Sequence, residues 1–286
     1  QTCALPILAA VATLNLVLAG GVTRWQAALA GTLAGFGYTL DFGLGMGLLP
    51  AAAVYVAFVG GSRALLPFIL GATPWLGLHH ALNYTVGGTL LPANMVRDYL
   101  SWDGSPFGEE IMTGGWKHSP LGLFVYGTDL LVGKKGFLLY DLPLWIVPIG
   151  ALMLWRRHVA RPTLAFAFAW SAVGWFAYAT VSNNLAGTCC SIRWFVPFLA
   201  PGFWVVALVL KEFPEYRPDF AWLSAVGLIF GAITWWDGPW AKLPFGLWVW
   251  PGIGLVGWGI VRHSDVKRKH VLEAKGRSIP YVRRAA

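Results

Sequence analysis

Apolar stretches about as long as the hydrocarbon core of a membrane is thick recur along this sequence, and they constrain its fold more than any other feature. A helix needs about 17–25 residues to cross that core. The candidate stretches lie at about 5–22, 26–40, 43–60, 64–81, 138–155, 162–181, 195–210, 219–236 and 244–261. Charged residues make up only 12% of the chain, about half of their usual share in soluble proteins. The short alternation that is typical of membrane β-barrels is not found. The sequence therefore predicts an all-α fold, a polytopic transmembrane helical bundle of about nine spans with one long extracytoplasmic loop.

The chain divides into three parts. Residues 1–7 (QTCALPI) are similar to the translation of a common sequencing-adapter oligonucleotide, and no initiator Met precedes them. We therefore expect residues 1–7 to be an artefact of a truncated reading frame, with sequence missing upstream. A mature or arbitrarily cut N-terminus is the alternative. Residues 8–262 form the predicted transmembrane module, and residues 263–286 form a basic cytoplasmic tail.

Lys and Arg are distributed unevenly between the loops. If the loop 82–137 faces outward, fifteen of the 21 Lys and Arg residues lie on the cytoplasmic side and six lie outside. Cytoplasmic loops of membrane proteins carry an excess of these residues. The predicted topology therefore has the loops 82–137 and 182–194 outside the cytoplasm and the C-terminus inside. Because the net charge of +8 resides in short turns and in the tail, it does not indicate nucleic-acid binding.

The outward loop 82–137 carries five of the 13 acidic residues, more than any other loop, and is the first candidate for chemistry. Asp103 with Glu109 or Glu110 could form a carboxylate pair for acid–base catalysis. Acids in a loop are more often simply solvated. Asp103 and Glu109 are therefore weak catalytic candidates, and both interpretations stay open.

Aromatic and basic residues accompany those acids in the same loop. Trp116, Lys117 and His118 combine a stacking face, a cation and a titratable ring, which suits a sugar phosphate. Trp102 offers a second stacking face. Anchoring at the membrane interface is the alternative role for such Trp residues. We take Trp102, Trp116 and Lys117 as candidate substrate-binding residues and His118 as a weak catalytic candidate.

The smaller outward loop 182–194 supplies amides and a cation. Asn183 and Asn184 are candidate hydrogen-bonding groups for a substrate. Arg193 stands at the start of the next span, on the outward side, where Lys and Arg are otherwise few. A guanidinium binds phosphate oxygens in a bidentate manner, so a lipid-linked phosphate is one expected partner of Arg193. A structural carboxylate or an ordinary headgroup is the alternative.

Further polar residues lie at the ends of predicted spans. Asp41 follows the second apolar stretch, and an acid near a membrane interface is a candidate substrate-binding residue. A solvated turn between two helices is the alternative. The adjacent His79 and His80 do not share a helix face, and no third ligand follows at a recognisable metal spacing. No metal site is therefore predicted.

Several short motifs resemble a known family. Residues 35–41 (GFGYTLD), 61–63 (GSR), 70–75 (LGATPW) and 191–197 (SIRWFVP) are similar to the middle of GT-C superfamily glycosyltransferases. The likeness is to the branch of protein O-mannosyltransferase-like and aminoarabinose transferase-like proteins, and within it to uncharacterised bacterial membrane proteins. In that branch a helix ends outside in a Thr-Lys-Gly-like turn, and a later helix opens with an Arg-Tyr-Leu-x-Pro pattern.

This resemblance implies an inner-membrane protein that transfers a sugar from a polyprenyl-phosphate carrier on the outer face, through an inverting displacement. The family's catalytic base is a carboxylate of the first external loop, and no Asp or Glu precedes Asp41 here. Asp41 itself stands at the Lys-like position of the family turn. Of the family's functional residues only Arg193 carries over, as a phosphate or lipid contact.

These features together predict a fragment of a membrane glycosyltransferase of the hexosyltransferase type. The lipid-linked sugar is its donor, a glycan, a lipid or a protein is its acceptor, and no further cofactor is expected. A transporter or flippase of a lipid-linked saccharide is the rival, although such proteins tend to carry ionisable groups at mid-membrane and repeated halves. A non-catalytic membrane subunit that binds polyprenyl phosphate is the third possibility.

Overall fold

A computed structural model describes residues 22–92, 95–96, 102–105, 118–183, 185, 190–237 and 246–274. All regular elements within these ranges are helical, and no β-strand occurs among them. The all-α prediction is therefore confirmed. The first predicted span, 5–22, lies outside the described residues except for Val22.

Ten α-helices and three short 3-10 helices follow one another along the described chain. The α-helices are α1 (Arg24–Leu40), α2 (Phe42–Gly60), α3 (Ser62–Gly87), α4 (Pro120–Val132), α5 (Phe137–Tyr140), α6 (Ile146–Arg156), α7 (Arg161–Val181), α8 (Leu199–Glu212), α9 (Arg217–Asp237) and α10 (Val249–Ala274). The 3-10 helices are Leu142–Trp145, Arg193–Phe198 and Pro214–Tyr216.

The first three helices form a tight group, because glycines let their backbones approach. A Cβ at Gly31 of α1 would overlap the carbonyl group of Phe68 in α3, and a Cβ at Gly71 of α3 would overlap the carbonyl oxygen of Ala28. The Thr32 hydroxyl adds a hydrogen bond of 3.3 Å to the Gly71 carbonyl. Small residues at such crossings are typical of helices that pack in membranes. Gly31 and Gly71 therefore allow the close contact between α1 and α3.

Helix α2 joins this group to α7, which runs antiparallel to it. Gly47 of α2 lies against Trp170 and Gly174 of α7. Nearer the other end of α2, the hydroxyl groups of Tyr55 and Thr163 lie 3.2 Å apart in a buried hydrogen bond. These contacts make α2 and α7 the centre of the larger of two hydrophobic cores.

Helices α6, α8 and α9 form the second core, and α10 packs on α9. A buried ion pair fixes that last contact: Arg262 Nη1 lies 3.0 Å from Asp219 Oδ2. The indole of Trp258 donates a hydrogen bond of 2.9 Å to the other oxygen of Asp219. The Arg262 guanidinium also lies 3.6 Å above the ring of Tyr216.

Within the described ranges, four helical segments are long and apolar enough to cross a membrane. They are Ser62–Gly87, Arg161–Val181, Arg193–Glu212 and Pro214–Trp236. Pro120–Tyr140 and Leu142–Arg156 together make a fifth if a pair bent by 113° is counted as one span. Several apolar helices that could span a membrane therefore support an integral membrane protein. The count of nine spans stays a prediction.

Two boundaries differ from those that the sequence predicts. Helix α3 continues to Gly87, where Gly88 ends it with a positive φ of 65°, so part of the predicted loop 82–137 is helical. The predicted span 138–155 is divided, because the chain bends at Asp141 between α5 and the 3-10 helix that begins at Leu142.

The alternating helix directions give the bundle two chemically different ends. We call one the loop end, because it carries Asp41, the end of α3, Ser182 and Arg193. The opposite end, here called the basic end, holds the turns between α2 and α3, α6 and α7, and α8 and α9. Its positively charged residues are Arg24, Arg63, Arg156, Arg157, Arg161, Lys211, Arg217 and Arg262.

Candidate functional site

Asp41 at the loop end connects three helices. Its extended backbone (φ −145°, ψ 98°) ends α1, and its N–H donates a 3.0 Å hydrogen bond to the Gly37 carbonyl. The half-buried carboxylate accepts a hydrogen bond of 3.4 Å from the hydroxyl of Tyr178, in the last turn of α7. Asp41 is therefore an ordered part of the bundle rather than a turn residue that is only solvated.

Tyr178 in turn holds the indole of Trp194. The two rings are stacked, with 4.6 Å between their centroids and an angle of 6° between their planes. Gly43 makes room for this pair, because a Cβ at that position would overlap the Tyr178 hydroxyl. Arg193, the residue before Trp194, is exposed and opens the 3-10 helix that leads into α8. The structure thus positions the predicted phosphate-binding Arg193 next to an aromatic pair that is hydrogen-bonded to Asp41.

A second aromatic group surrounds the end of α3. The Tyr38 ring contacts His79 and His80 with centroid distances of 5.2 and 5.8 Å. Its hydroxyl lies 3.1 Å from Nε2 of His80, whose Nδ1 lies 2.9 Å from the Leu90 carbonyl oxygen. Because that carbonyl can only accept, Nδ1 is the donor to it, and in the neutral imidazole Nε2 accepts from Tyr38. Both adjacent histidines therefore contact one tyrosine, although they do not share a helix face.

His118 is fixed against the end of α7. Its Nε2 lies 2.7 Å from the backbone oxygen of Ser182, which is fully buried, and its ring stacks on Tyr126 at 4.6 Å. Since Ser182 follows Tyr178 by one helical turn, the same end of α7 supports His118 and, through Tyr178, Asp41.

Three buried polar atoms at this end lack a hydrogen-bond partner among the described residues. They are Nε2 of His79, Nδ2 of Asn83 and Oγ of Ser191. His79 and Asn83 are four residues apart on α3, so they lie on one helix face. Buried polar atoms are rarely left without a partner in folded proteins. These atoms therefore favour a polar ligand or ordered water at the loop end.

An apolar cavity of about 230 Å³ has Phe195, two residues after Arg193, in its lining. Phe195 and Phe198, the next aromatic residues along the chain, form one wall, and Phe137, Leu138 and Trp175 contribute others. The chain therefore passes within two residues from an exposed cation to an apolar interior.

The predicted site residues fall into three groups. Asp41, His118 and Arg193 are brought to the loop end around α7, and the exposed Asn183 follows Ser182 there. Trp102 and Asp103 lie exposed in a short turn, which is closed by a 2.9 Å hydrogen bond from the Ser105 N–H to the Trp102 carbonyl. The remaining candidates lie outside the described residues: Glu109, Trp116, Lys117 and Asn184. The roles of all these residues stay predictions.

The residues that sequence reasoning missed are Tyr38, Tyr178 and Trp194. Each lies within or next to an apolar stretch, where an aromatic residue indicates packing or interfacial anchoring. One feature of the sequence could have identified them: each of these three aromatic residues lies at the end of its span that is predicted to face outward. Among the residues that the structure describes, no group of three or more His, Cys, Asp or Glu could hold a metal ion.

Comparison with known proteins adds no family assignment. No protein-family model matches the chain, and no curated protein and no solved structure is detectably similar to it. The resemblance to GT-C glycosyltransferases therefore stays a prediction from the short motifs.

Proposed function

We propose that the protein is a membrane glycosyltransferase, or part of one, that uses a polyprenyl-phosphate-linked sugar as donor. One observation carries the proposal: Arg193 stands at the loop end, and the apolar cavity begins two residues farther along the chain at Phe195. A polyprenyl phosphate has the matching division into an anionic headgroup and an apolar chain. Arg193 binds the phosphate, and the cavity receives the part of the prenyl chain nearest to it.

The reaction is an inverting displacement at the anomeric carbon. The acceptor oxygen forms a bond to that carbon, the bond to the phosphate oxygen breaks, and the phosphate leaves with the bonding electron pair. The acceptor proton passes to a base that the described residues do not identify. Arg193, with Lys117 from the loop, neutralises charge on the leaving phosphate. Trp102 or Trp116 stacks on the sugar, and Asn183 with Asn184 bonds its hydroxyl groups.

The topology that belongs to this proposal has about nine spans. The loop 82–137 and the loop end are extracytoplasmic, and the basic end and the tail 263–286 are cytoplasmic, in a bacterial inner membrane. The charge distribution supports it, because Arg24, Arg63 and Arg161 lie at the basic end, as the positive-inside rule requires.

Binding of farnesyl phosphate, with farnesol for comparison, tests the site. In the detergent-purified chain, Arg193→Ala raises the Kd for farnesyl phosphate about tenfold, because a charge-assisted bond to phosphate is lost. Binding of farnesol is unchanged, and Arg193→Lys gives an intermediate Kd. Arg63→Ala, which removes an exposed arginine at the basic end, is the matched control. Equal Kd values for the wild type and Arg193→Ala overturn the phosphate site.

A second measurement separates transfer from transport. Proteoliposomes that contain a polyprenyl-phosphate sugar, labelled on the sugar, are supplied with candidate acceptors. Label that moves from lipid to acceptor supports the glycosyltransferase. Label that stays on the lipid but changes leaflet identifies a flippase instead.

A further inference from the structure

A large groove between α2 and α7 opens near the basic end. Its volume is about 590 Å³, within the range of about 300–1,000 Å³ for small-molecule sites. Val54 and Phe58 of α2 form one wall, Val173 of α7 forms the other, and Trp155 with Arg161 closes the basic end of the groove.

The walls present apolar side chains outward. Phe58 is 75% exposed, Val54 is 69% exposed and Val173 is 41% exposed. Tyr55 also lines the groove, and its hydroxyl is satisfied by the buried hydrogen bond to Thr163. Because this hydroxyl already has a partner, an apolar ligand that covers Tyr55 does not leave a polar group buried without a hydrogen bond, which would be costly.

Arg161 is the only charged residue among the described residues that line the groove, and its guanidinium is already oriented. Its Nε donates a 2.9 Å hydrogen bond to the Trp155 carbonyl, and the guanidinium carbon lies 5.4 Å from the centroid of the Trp155 ring. The two terminal nitrogens have no hydrogen-bond partner in the part of the chain that the structure describes. The two terminal nitrogens can therefore donate hydrogen bonds to two oxygens of one phosphate group.

The length of the groove matches one leaflet of a membrane. From Arg161 to Val173 the chain advances twelve residues along α7, about 18 Å at 1.5 Å per residue. Half of the hydrocarbon core is about 15 Å. An acyl chain that starts at Arg161 therefore reaches the bilayer centre near Val173.

We propose that this groove binds one anionic phospholipid, with its phosphate on Arg161 and an acyl chain along α2 and α7. The basic end supplies the complementary charge, since Arg156 and Arg157 lie in the same turn and no acidic residue lines the groove. Basic pockets between helices at the cytoplasmic side are typical sites for anionic headgroups. Lipid binding here is independent of sugar transfer at the loop end.

Native mass spectrometry of the full chain, released from nanodiscs that contain equal phosphatidylglycerol and phosphatidylcholine, tests the proposal. We expect the wild type to retain one phosphatidylglycerol molecule about ten times as often as one phosphatidylcholine molecule. Arg161→Ala abolishes this preference. Val173→Phe, which leaves Arg161 in place, blocks the groove and lowers retention of the lipid itself.

Two controls make the comparison specific. Arg63→Ala removes an exposed arginine at the same end, and Ala232→Phe adds an exposed aromatic ring on α9; both retain the phosphatidylglycerol. Equal retention of the two lipids by the wild type, or unchanged preference in Arg161→Ala, overturns the proposal. A photo-crosslinker at position 173 that labels residues 5–22 of the chain instead of lipid also overturns it, because those residues would then fill the groove.

Discussion

The Tyr178 hydroxyl donates a hydrogen bond to the Asp41 carboxylate, 137 residues earlier in the chain. The bond links the turn between α1 and α2 to the last turn of α7. Because Trp194 stacks on Tyr178, the same contact orients the residue next to Arg193. One tyrosine therefore connects the acid Asp41 to the indole of Trp194, the residue next to Arg193.

Removing that hydroxyl tests how much the link stabilises the loop end. We expect Tyr178→Phe to lower the free energy of unfolding by about 1 kcal/mol, since the ring still stacks on Trp194 and only a hydrogen bond is lost. Tyr84→Phe, at an exposed position on α3, is the matched control and should change little. Equal unfolding curves for the two variants, measured by circular dichroism in detergent, would contradict the structural role of Tyr178.

Gly43 provides an independent test of the same pair. A Cβ at this position overlaps the Tyr178 hydroxyl, so Gly43→Ala must displace the ring from Asp41 or from Trp194. We expect a loss of about 1–3 kcal/mol in stability, as for other overpacked sites. In Gly43→Ala/Tyr178→Phe the overlap with the hydroxyl is removed, whereas the overlap with the ring carbon Cζ, at 2.6 Å, remains, so only part of that loss should be recovered. If the double variant is as unstable as the sum of the single variants, the two residues do not interact.

The crossing of α1 and α3 predicts opposite effects for two glycines. Gly31→Ala should destabilise the bundle by about 1–3 kcal/mol, because its Cβ meets the carbonyl of Phe68. At Gly77, also on α3, a Cβ meets nothing within 4 Å. Gly77→Ala should therefore be neutral or stabilise the helix by up to about 1 kcal/mol. Thermal unfolding in detergent distinguishes these outcomes, and a Gly31→Ala variant as stable as Gly77→Ala would argue against the described crossing.

Hydropathy predicted the helical class and most helix positions because the apolar runs are long and uninterrupted. It could not predict the bend at Asp141, since hydropathy measures how apolar a stretch is and contains no information on the direction of the helix axis. Pro143 at the start of the 3-10 helix was the available sign, because proline disrupts the regular helix pattern.

The loop end was only partly predictable for a different reason. Asp41 and Arg193 stand out in the sequence because charged residues are rare in and near spans. Tyr38 and Tyr178 resemble core aromatics until the fold shows which polar group each hydroxyl reaches. Such partners depend on helix packing between distant segments, and no local spacing encodes them.

The buried pair of Asp219 and Arg262 predicts unequal effects of removing either partner. Asp219 is fully buried, whereas the side chain of Arg262 is 31% exposed. Arg262→Met removes the cation that is paired with this buried carboxylate, which keeps its hydrogen bond from the Trp258 indole, so we expect a loss of about 3–5 kcal/mol in stability. Asp219→Asn should cost less, because its amide oxygen still accepts a hydrogen bond and the arginine reaches solvent.

A double-mutant cycle separates the ion pair from the packing of α10 on α9. We expect Asp219→Leu/Arg262→Met to be more stable than Arg262→Met alone, since no uncompensated charge remains buried. Arg217→Met, at the exposed first residue of α9 and two residues before Asp219, is the matched control and should be nearly neutral. If Arg262→Met costs no more than Arg217→Met in unfolding by a denaturing detergent, the pair does not stabilise this contact.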